Sequence, residues 1–119
     1  MIKRPKNTNR IARVNAFVQI ELAKILLNYL EKNSGLVTIT KVETSKDMKH
    51  AKVWLSIFGG NDDRVLTHLT KNIYAIQGEL NQKFNTKIVP RISFTLDTSP
   101  SYAAHISRLI DKLKKENEF

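Results

Sequence analysis

The chain has 119 residues and no cysteine, and its 20 Lys plus Arg against 11 Asp plus Glu give a formal net charge of +9. This length predicts one domain with its own core, and the lack of cysteine excludes disulfide scaffolds, thiolate nucleophiles and cysteine-containing zinc sites. The longest uninterrupted apolar run, Ile73 to Ile76, is far too short for a membrane span or a signal-peptide core.

Most of the positive charge lies in two segments of the chain. Residues 1–20 contribute +5, residues 80–96 contribute +3, and neither segment contains an acid. The basic residues concerned are Lys3, Arg4, Lys6, Arg10, Arg13, Lys83, Lys87 and Arg91. Because a localised charge creates a directed field, we expect these side chains to bind a polyanion; the alternative is that they only keep the protein soluble.

The first half of the chain predicts an arm, a helix and a hairpin. Residues 1–9 read as a mobile basic arm that ends in a helix cap, and a helix with one apolar face starts near Arg10 and ends before Gly35. Leu36–Glu43 and His50–Phe58 are strand-like and form a predicted hairpin. In the link between them, Ser45 and Asp47 are typical of a turn held by side-chain hydrogen bonds.

The second half predicts a long helix, a strand and a last helix. Asp62 or Asp63 caps the long helix, and Gly78 within it indicates a kink. Lys87–Asp97 predicts a third strand, in which Pro90 favours an edge position. Ser99 and Pro100 open a helix over 100–113, before a charged tail at 114–119.

The predicted order of elements defines the fold class. It indicates an α+β protein with a single domain over 10–113 and a small three-stranded sheet covered by helices on one face.

No pattern in the sequence indicates catalysis. His50, His68 and His105 lack the short spacing of metal ligands on a helix, and the Asp62–Asp63 pair is explained by helix capping. Gly59–Gly60 lacks the lysine and hydroxyl residues that follow the glycines of a phosphate loop. We therefore expect no enzyme activity, no metal and no cofactor.

Two aromatic residues are candidates for stacking on nucleic-acid bases. Trp54 and Phe58 share the strand face opposite the apolar one, and exposed rings on a sheet can stack on unpaired bases. The alternative is that another part of the chain covers them, which is favoured because neighbouring strands carry no ladder of aromatic residues.

Several segments together have a recognisable pattern. Leu36–Gly59 contains a strand that ends in Val-Glu and leads through Ser-x-Asp to Ala-Lys-Val. Further matches are Arg13-Val14, Gln19, Glu21-Leu22-Ala23 and Ile25-Leu26 in the first helix, Val89-Pro90 with Ile92 and Phe94 in the third strand, and Asp97-x-Ser99 with Tyr102 and Ile106 near the end. In this order, they resemble the bacterial ribosome-binding factor A family over nearly the whole chain.

The resemblance implies a KH-type fold of α-β-β-α-α-β order, similar to type II, with a further helix at the C-terminus. It also implies a non-enzymatic, cytoplasmic assembly factor, expected to be a monomer off the ribosome, that binds the immature 30S subunit and 16S rRNA. Its role would be late maturation and processing of 16S rRNA, with an association with growth in the cold. The alternative is a general RNA- or DNA-binding protein that uses the same basic surface.

The family replaces the RNA-binding Gly-x-x-Gly loop of KH domains with an Ala-x-Gly kink between two helices. Counting back from Val89-Pro90 places Asn72-Ile73-Tyr74 at this position. The family motifs do not supply the eight basic residues, which are predicted from charge alone.

Overall fold

One three-stranded sheet and four helices are found in the described part of the chain. The computed structural model describes residues 6–85, 88–98 and 100–116, with side chains at 9–85, 88–98 and 107–115. The elements in chain order are α1 (Lys6–Leu26), β1 (Leu36–Thr44), β2 (His50–Phe58), α2 (Asp62–Lys71), α3 (Ile73–Lys83), β3 (Arg91–Leu96) and α4 (Pro100–Glu116). β1 is antiparallel to the central strand β2, and β3 is parallel to it. The predicted α+β class, the hairpin and the edge position of the third strand are confirmed. The third strand begins at Arg91 and not at Lys87, because Pro90 before it has no amide hydrogen to donate to the sheet, and α4 continues to Glu116, beyond its predicted end at 113. Among the described residues, no helix is long and apolar enough to cross a membrane.

The core lies between one face of the sheet and helices α1 to α3. The central strand has the clearest pattern, because Ala51, Val53 and Leu55 are fully buried while Lys52 between them is exposed. The helices contribute the remaining large side chains: Val18, Leu22, Ile25, Leu26, Val65, Leu69, Ile76 and Leu80. Burial of each Leu or Ile stabilises the fold by about 1.5–3 kcal/mol relative to leaving it exposed.

Helix α1 differs from its prediction at both ends. It begins at Lys6, four residues before the expected start. It ends at Leu26, where the Tyr29 amide donates to the Leu26 carbonyl in a closing turn. Gly35 therefore does not terminate α1.

Gly35 is instead required where the chain enters β1. Its φ is +75°, and a Cβ at this position would lie 2.4 Å from the Phe58 carbonyl oxygen and 2.6 Å from the Gly60 nitrogen. Only glycine permits both this backbone conformation and this close approach. Gly35 thus allows the start of β1 to pack closely against the end of β2, from which the chain continues to α2.

Strand β1 contains an irregularity that the sequence pattern did not predict. Its register against β2 shifts between Ile39 and Lys41, so Thr40 is the extra residue of a β-bulge. The bulge places Ile39 and Val42 on the same buried face although three positions separate them.

The long predicted helix is two helices, and the break lies at Asn72 instead of Gly78. The Asn72 amide donates to the His68 and Leu69 carbonyls at 3.3 and 3.2 Å, while its Nδ2 donates to the His68 carbonyl at 2.9 Å. An asparagine side chain that bonds to the backbone competes with helical continuation. Gly78 lies inside α3 with nothing within 4 Å of where a Cβ would be, so the predicted kink there is wrong.

Candidate nucleic-acid interface

Four elements meet at one end of the domain. The Asn15 side-chain oxygen of α1 accepts from both the amide (2.9 Å) and the hydroxyl (2.6 Å) of Thr44, at the end of β1. The Arg91 amide, at the start of β3, donates to the Lys49 carbonyl in the β1–β2 turn at 2.8 Å. The Phe17 ring of α1 packs edge-on against Phe84, which follows α3, with 4.8 Å between centroids. These contacts hold the first half of α1, the β1–β2 turn, the start of β3 and the end of α3 together.

This end carries a group of exposed cations that we call the basic end. Its members come from all four elements and are Arg10, Arg13, Lys46, Lys49, Lys83 and Arg91. In the described part of the chain, none of the six takes part in an ion pair. The charges of five of them are therefore available to an external anion such as a phosphate, while the charge of Lys49 also acts on Asp47 in the same turn.

The β1–β2 turn is held by its own side chains, as predicted. The Ser45 hydroxyl donates to Asp47 Oδ1 at 2.6 Å, the Lys49 amide donates to the same oxygen at 3.1 Å, and the His50 amide donates to Ser45 Oγ at 3.1 Å. The pKa of the Asp47 carboxyl is lowered, mainly by the hydrogen bond from the Ser45 hydroxyl and next by the bond from the Lys49 amide. The charges of Lys49 and His50 lower it further. A fixed turn positions the backbone of Lys46 and Lys49 at the basic end.

The opposite end of the domain contains acids that are paired with basic side chains. Glu31 is bonded to Arg64 at 3.0 Å and lies 3.1 Å from His68 Nδ1. Asp62 and Asp63 occupy the first turn of α2, but the cap is Asn61, whose side chain accepts from the Arg64 amide at 3.0 Å. The prediction that one of the two aspartates is the cap is wrong, because the helix starts one residue earlier. Arg64, unlike the cations of the basic end, is thus paired with an acid of the protein itself.

The two predicted stacking residues lie away from the basic end. Trp54 is half-buried on the sheet face opposite the core, and the Lys41 and Lys52 ammonium groups lie 4.9 and 5.1 Å from its ring centroid. The ring is therefore already engaged in cation–π contacts within the protein. Phe58 is 45% exposed but lies at the far end of β2, next to Gly59.

Four of the eight basic residues predicted from charge lie on the elements that meet at this end, namely Arg10, Arg13, Lys83 and Arg91. Lys3, Arg4, Lys87 and the side chain of Lys6 lie outside the described residues.

Sequence reasoning missed Lys46 and Lys49, because the acids nearby in sequence balance their charge. It also did not single out Tyr74, an aromatic side chain that is 92% exposed. The sequence does indicate this exposure, because Tyr74 falls outside the apolar face formed by Ile73, Ile76 and Leu80.

One groove in the structure is lined mainly by apolar and not by charged side chains. This groove of about 540 Å³ lies between α1 and β1, and its lining includes Ile20, Leu27 and Val37. Among the described residues, no group of three or more His, Asp or Glu side chains could hold a metal ion.

The order α-β-β-α-α-β, with β3 added parallel to the central strand and a further helix at the C-terminus, defines a KH-type domain. The family model for ribosome-binding factor A matches residues 10–110. The chain belongs to the ribosome-binding factor A family, which confirms the resemblance found in the sequence.

Sequence relatives support this membership. Ribosome-binding factor A of Alcanivorax borkumensis is 32% identical over 119 residues, covering 97% of this chain and 87% of the relative. The Brevibacillus brevis protein is 34% identical over 115 residues, covering 94% and 95%.

Solved structures share the fold. The crystal structure of ribosome-binding factor A from Thermus thermophilus superposes with a TM-score of 0.66 at 21% identity, covering 72% of this chain and 94% of that one. A homology model of the Thermus thermophilus factor, fitted into a cryo-EM map of its complex with the 30S subunit, gives a TM-score of 0.64 at 21% identity, covering 71% and 92%.

Proposed function

We propose that the protein is a ribosome assembly factor that binds the immature 30S subunit and 16S rRNA through the basic end and promotes late maturation and processing of 16S rRNA. The observation that carries this proposal is the convergence of unpaired cations from four elements at one end of the domain. Family membership and the Thermus thermophilus complex with the 30S subunit support the small subunit as the partner.

The physical basis of binding is the release of counterions from rRNA. Each phosphate neutralised by Lys or Arg changes the logarithm of affinity by about 0.7–0.9 per logarithm of salt concentration. Six contacts from the basic end would give a slope of about −4 to −5. Affinity for small subunits should therefore fall steeply with salt.

The first test compares two single-charge variants in binding to purified immature small subunits. Arg13→Ala removes a cation from the basic end, while Lys32→Ala removes an exposed cation near Glu31, at the opposite end. We expect Arg13→Ala to reduce the salt slope by about 0.7–0.9, and Lys32→Ala to leave it unchanged. Equal effects of the two variants, or a flat salt dependence of the wild type, would refute the use of the basic end.

The alternative is a general RNA- or DNA-binding protein, since phosphate contacts carry no sequence information. Co-sedimentation separates the two functions. An assembly factor travels with free small subunits and not with 70S ribosomes, whereas a general binder is indifferent to the state of the subunit. Accumulation of 16S precursor after deletion of the gene would distinguish a role in maturation from binding alone.

The remaining properties follow from the same proposal. A protein that acts by binding rRNA needs no catalytic group, and we propose that it acts in the cytoplasm without catalysis and as a monomer off the ribosome. Sedimentation equilibrium tests the monomer. We also propose that loss of the gene impairs growth in the cold, and growth curves at low and optimal temperature test this.

A further inference from the structure

One aromatic side chain is almost wholly exposed next to the basic end. Tyr74, the second residue of α3, is 92% exposed, more than any other large apolar side chain among the described residues. It lines a cleft of about 250 Å³ together with Ile73, Gln77, Arg91 and Ile92. Since a ring this exposed gains little from burial, Tyr74 contributes little to the stability of the fold.

The cleft is held in shape by Gln77. Its Nε2 donates to the Pro90 carbonyl at 3.1 Å and to Asn81 Oδ1 at 2.9 Å, and its Oε1 accepts from the Ile92 amide at 2.8 Å. These bonds tie α3 to the start of β3, on both sides of Arg91. The backbones that carry Tyr74 and Arg91 are therefore fixed relative to each other before any ligand binds, which lowers the entropic cost of binding.

The two exposed groups suit different parts of one nucleotide. A tyrosine ring stacks on any base that is not paired, and an arginine binds phosphate as a charged, multidentate donor. Arg91 has no ion-pair partner among the described residues. An unpaired nucleotide satisfies both groups, whereas a base inside a helix cannot expose its face to the ring.

We propose that this cleft, formed by Tyr74 and Arg91, binds one unpaired RNA nucleotide, with its base stacked on the Tyr74 ring and a phosphate on Arg91. The proposal rests on the proposed function, because it assumes that rRNA is the partner of the basic end. The contact is tolerant of base identity, since the amide of Gln77 is already occupied by protein groups.

The test measures binding by fluorescence anisotropy to a labelled single-stranded RNA and to immature small subunits. Loss of the stacking contact with one base weakens the binding free energy by roughly 1–3 kcal/mol, so Tyr74→Ala should weaken both affinities about 5- to 140-fold. Tyr74→Phe, which keeps the ring, should bind within about twofold of the wild type. Leu27→Ala, at a residue 72% exposed and outside the cleft, is the control and should bind as the wild type does.

The salt slope separates the roles of the two residues. Tyr74→Ala should leave the slope unchanged, because stacking releases no counterion, while Arg91→Ala should reduce it by about 0.7 for single-stranded RNA. Thermal unfolding of each variant checks that the fold is intact.

Three results would overturn the inference. If the wild type binds with a steep salt slope and Tyr74→Ala binds equally well, stacking is wrong and the proposed function stands. If Tyr74→Ala loses affinity for subunits but not for the RNA, the ring contacts a ribosomal protein. If Tyr74→Phe loses as much as Tyr74→Ala, the hydroxyl and not the ring makes the contact. A wild type with no salt-dependent binding would instead overturn the proposed function itself.

Discussion

The hydrogen bonds from Thr44 to Asn15 should be the main link between α1 and the end of β1. Thr44 is only 5% exposed, and both its amide and its hydroxyl donate to the same oxygen, at 2.9 and 2.6 Å. In Asn15→Ala both donors lose their partner inside the protein. A buried donor without a partner costs about 1–3 kcal/mol, so the two together predict a loss of about 2–4 kcal/mol after partial access of water.

Urea unfolding measures this loss, with the fluorescence of the single tryptophan as the probe. With a slope of about 2 kcal/mol per molar urea, the midpoint should fall by roughly 1–2 M. Asn15→Asp keeps the acceptor oxygen and should retain most of the stability, while its negative charge at the basic end should weaken RNA binding. Asn28→Ala, at an exposed position, is the control. A loss below about 0.5 kcal/mol in Asn15→Ala, the range of ordinary surface substitutions, would refute the reasoning.

Three further predictions concern stability and are measured by urea unfolding. Gly35→Ala should destabilise by at least about 1–3 kcal/mol, because its φ is positive and a Cβ would meet backbone at 2.4 Å, whereas Gly78→Ala should stabilise by about 0.4–1 kcal/mol; equal effects would contradict this. The lowered pKa of Asp47 contributes stability above pH 3.8 that is lost as the pH falls through the folded pKa, so wild type and Asp47→Asn should converge in acid. The hydrogen bond to Glu79 raises the pKa of Tyr29, so its contribution should be lost as the pH rises above 10.0; a Tyr29→Phe variant with the same alkaline profile would contradict this.

The element order was predictable because the apolar periodicities are strong and local. One error arose where a backbone contact between distant segments decides the structure. Gly35 looks like a helix terminator in the sequence, but its role depends on the Phe58 carbonyl, which is distant in the chain. A second error was local: propensity identifies Gly78 as the weak point of the long helix, while the side chain of Asn72 bonds to the His68 carbonyl and makes the actual break. This break lies where the family resemblance places the kink between the two helices.

The candidate interface was predictable only in part, for a similar reason. Arg10 and Arg13 stand out because no acid is near them in the sequence. Lys49 does not stand out, because Asp47 balances it when charges are counted along the chain. The fold places Lys49 beside the start of β3, and so next to Arg91, which a count of charges along the chain does not show.

The separation of charge and stacking predicts a kinetic distinction between the two parts of the interface. Charges act before contact and steer encounter, so neutralising Arg13 should lower the association rate, and most strongly at low salt. The Tyr74 ring acts only after contact, so Tyr74→Ala should raise the dissociation rate and leave association nearly unchanged. Stopped-flow binding to immature small subunits at two salt concentrations measures both rates, with Lys32→Ala as the control. If Arg13→Ala changes only dissociation, the basic end makes local contacts without steering, and the uneven distribution of charge along the domain has no role in encounter.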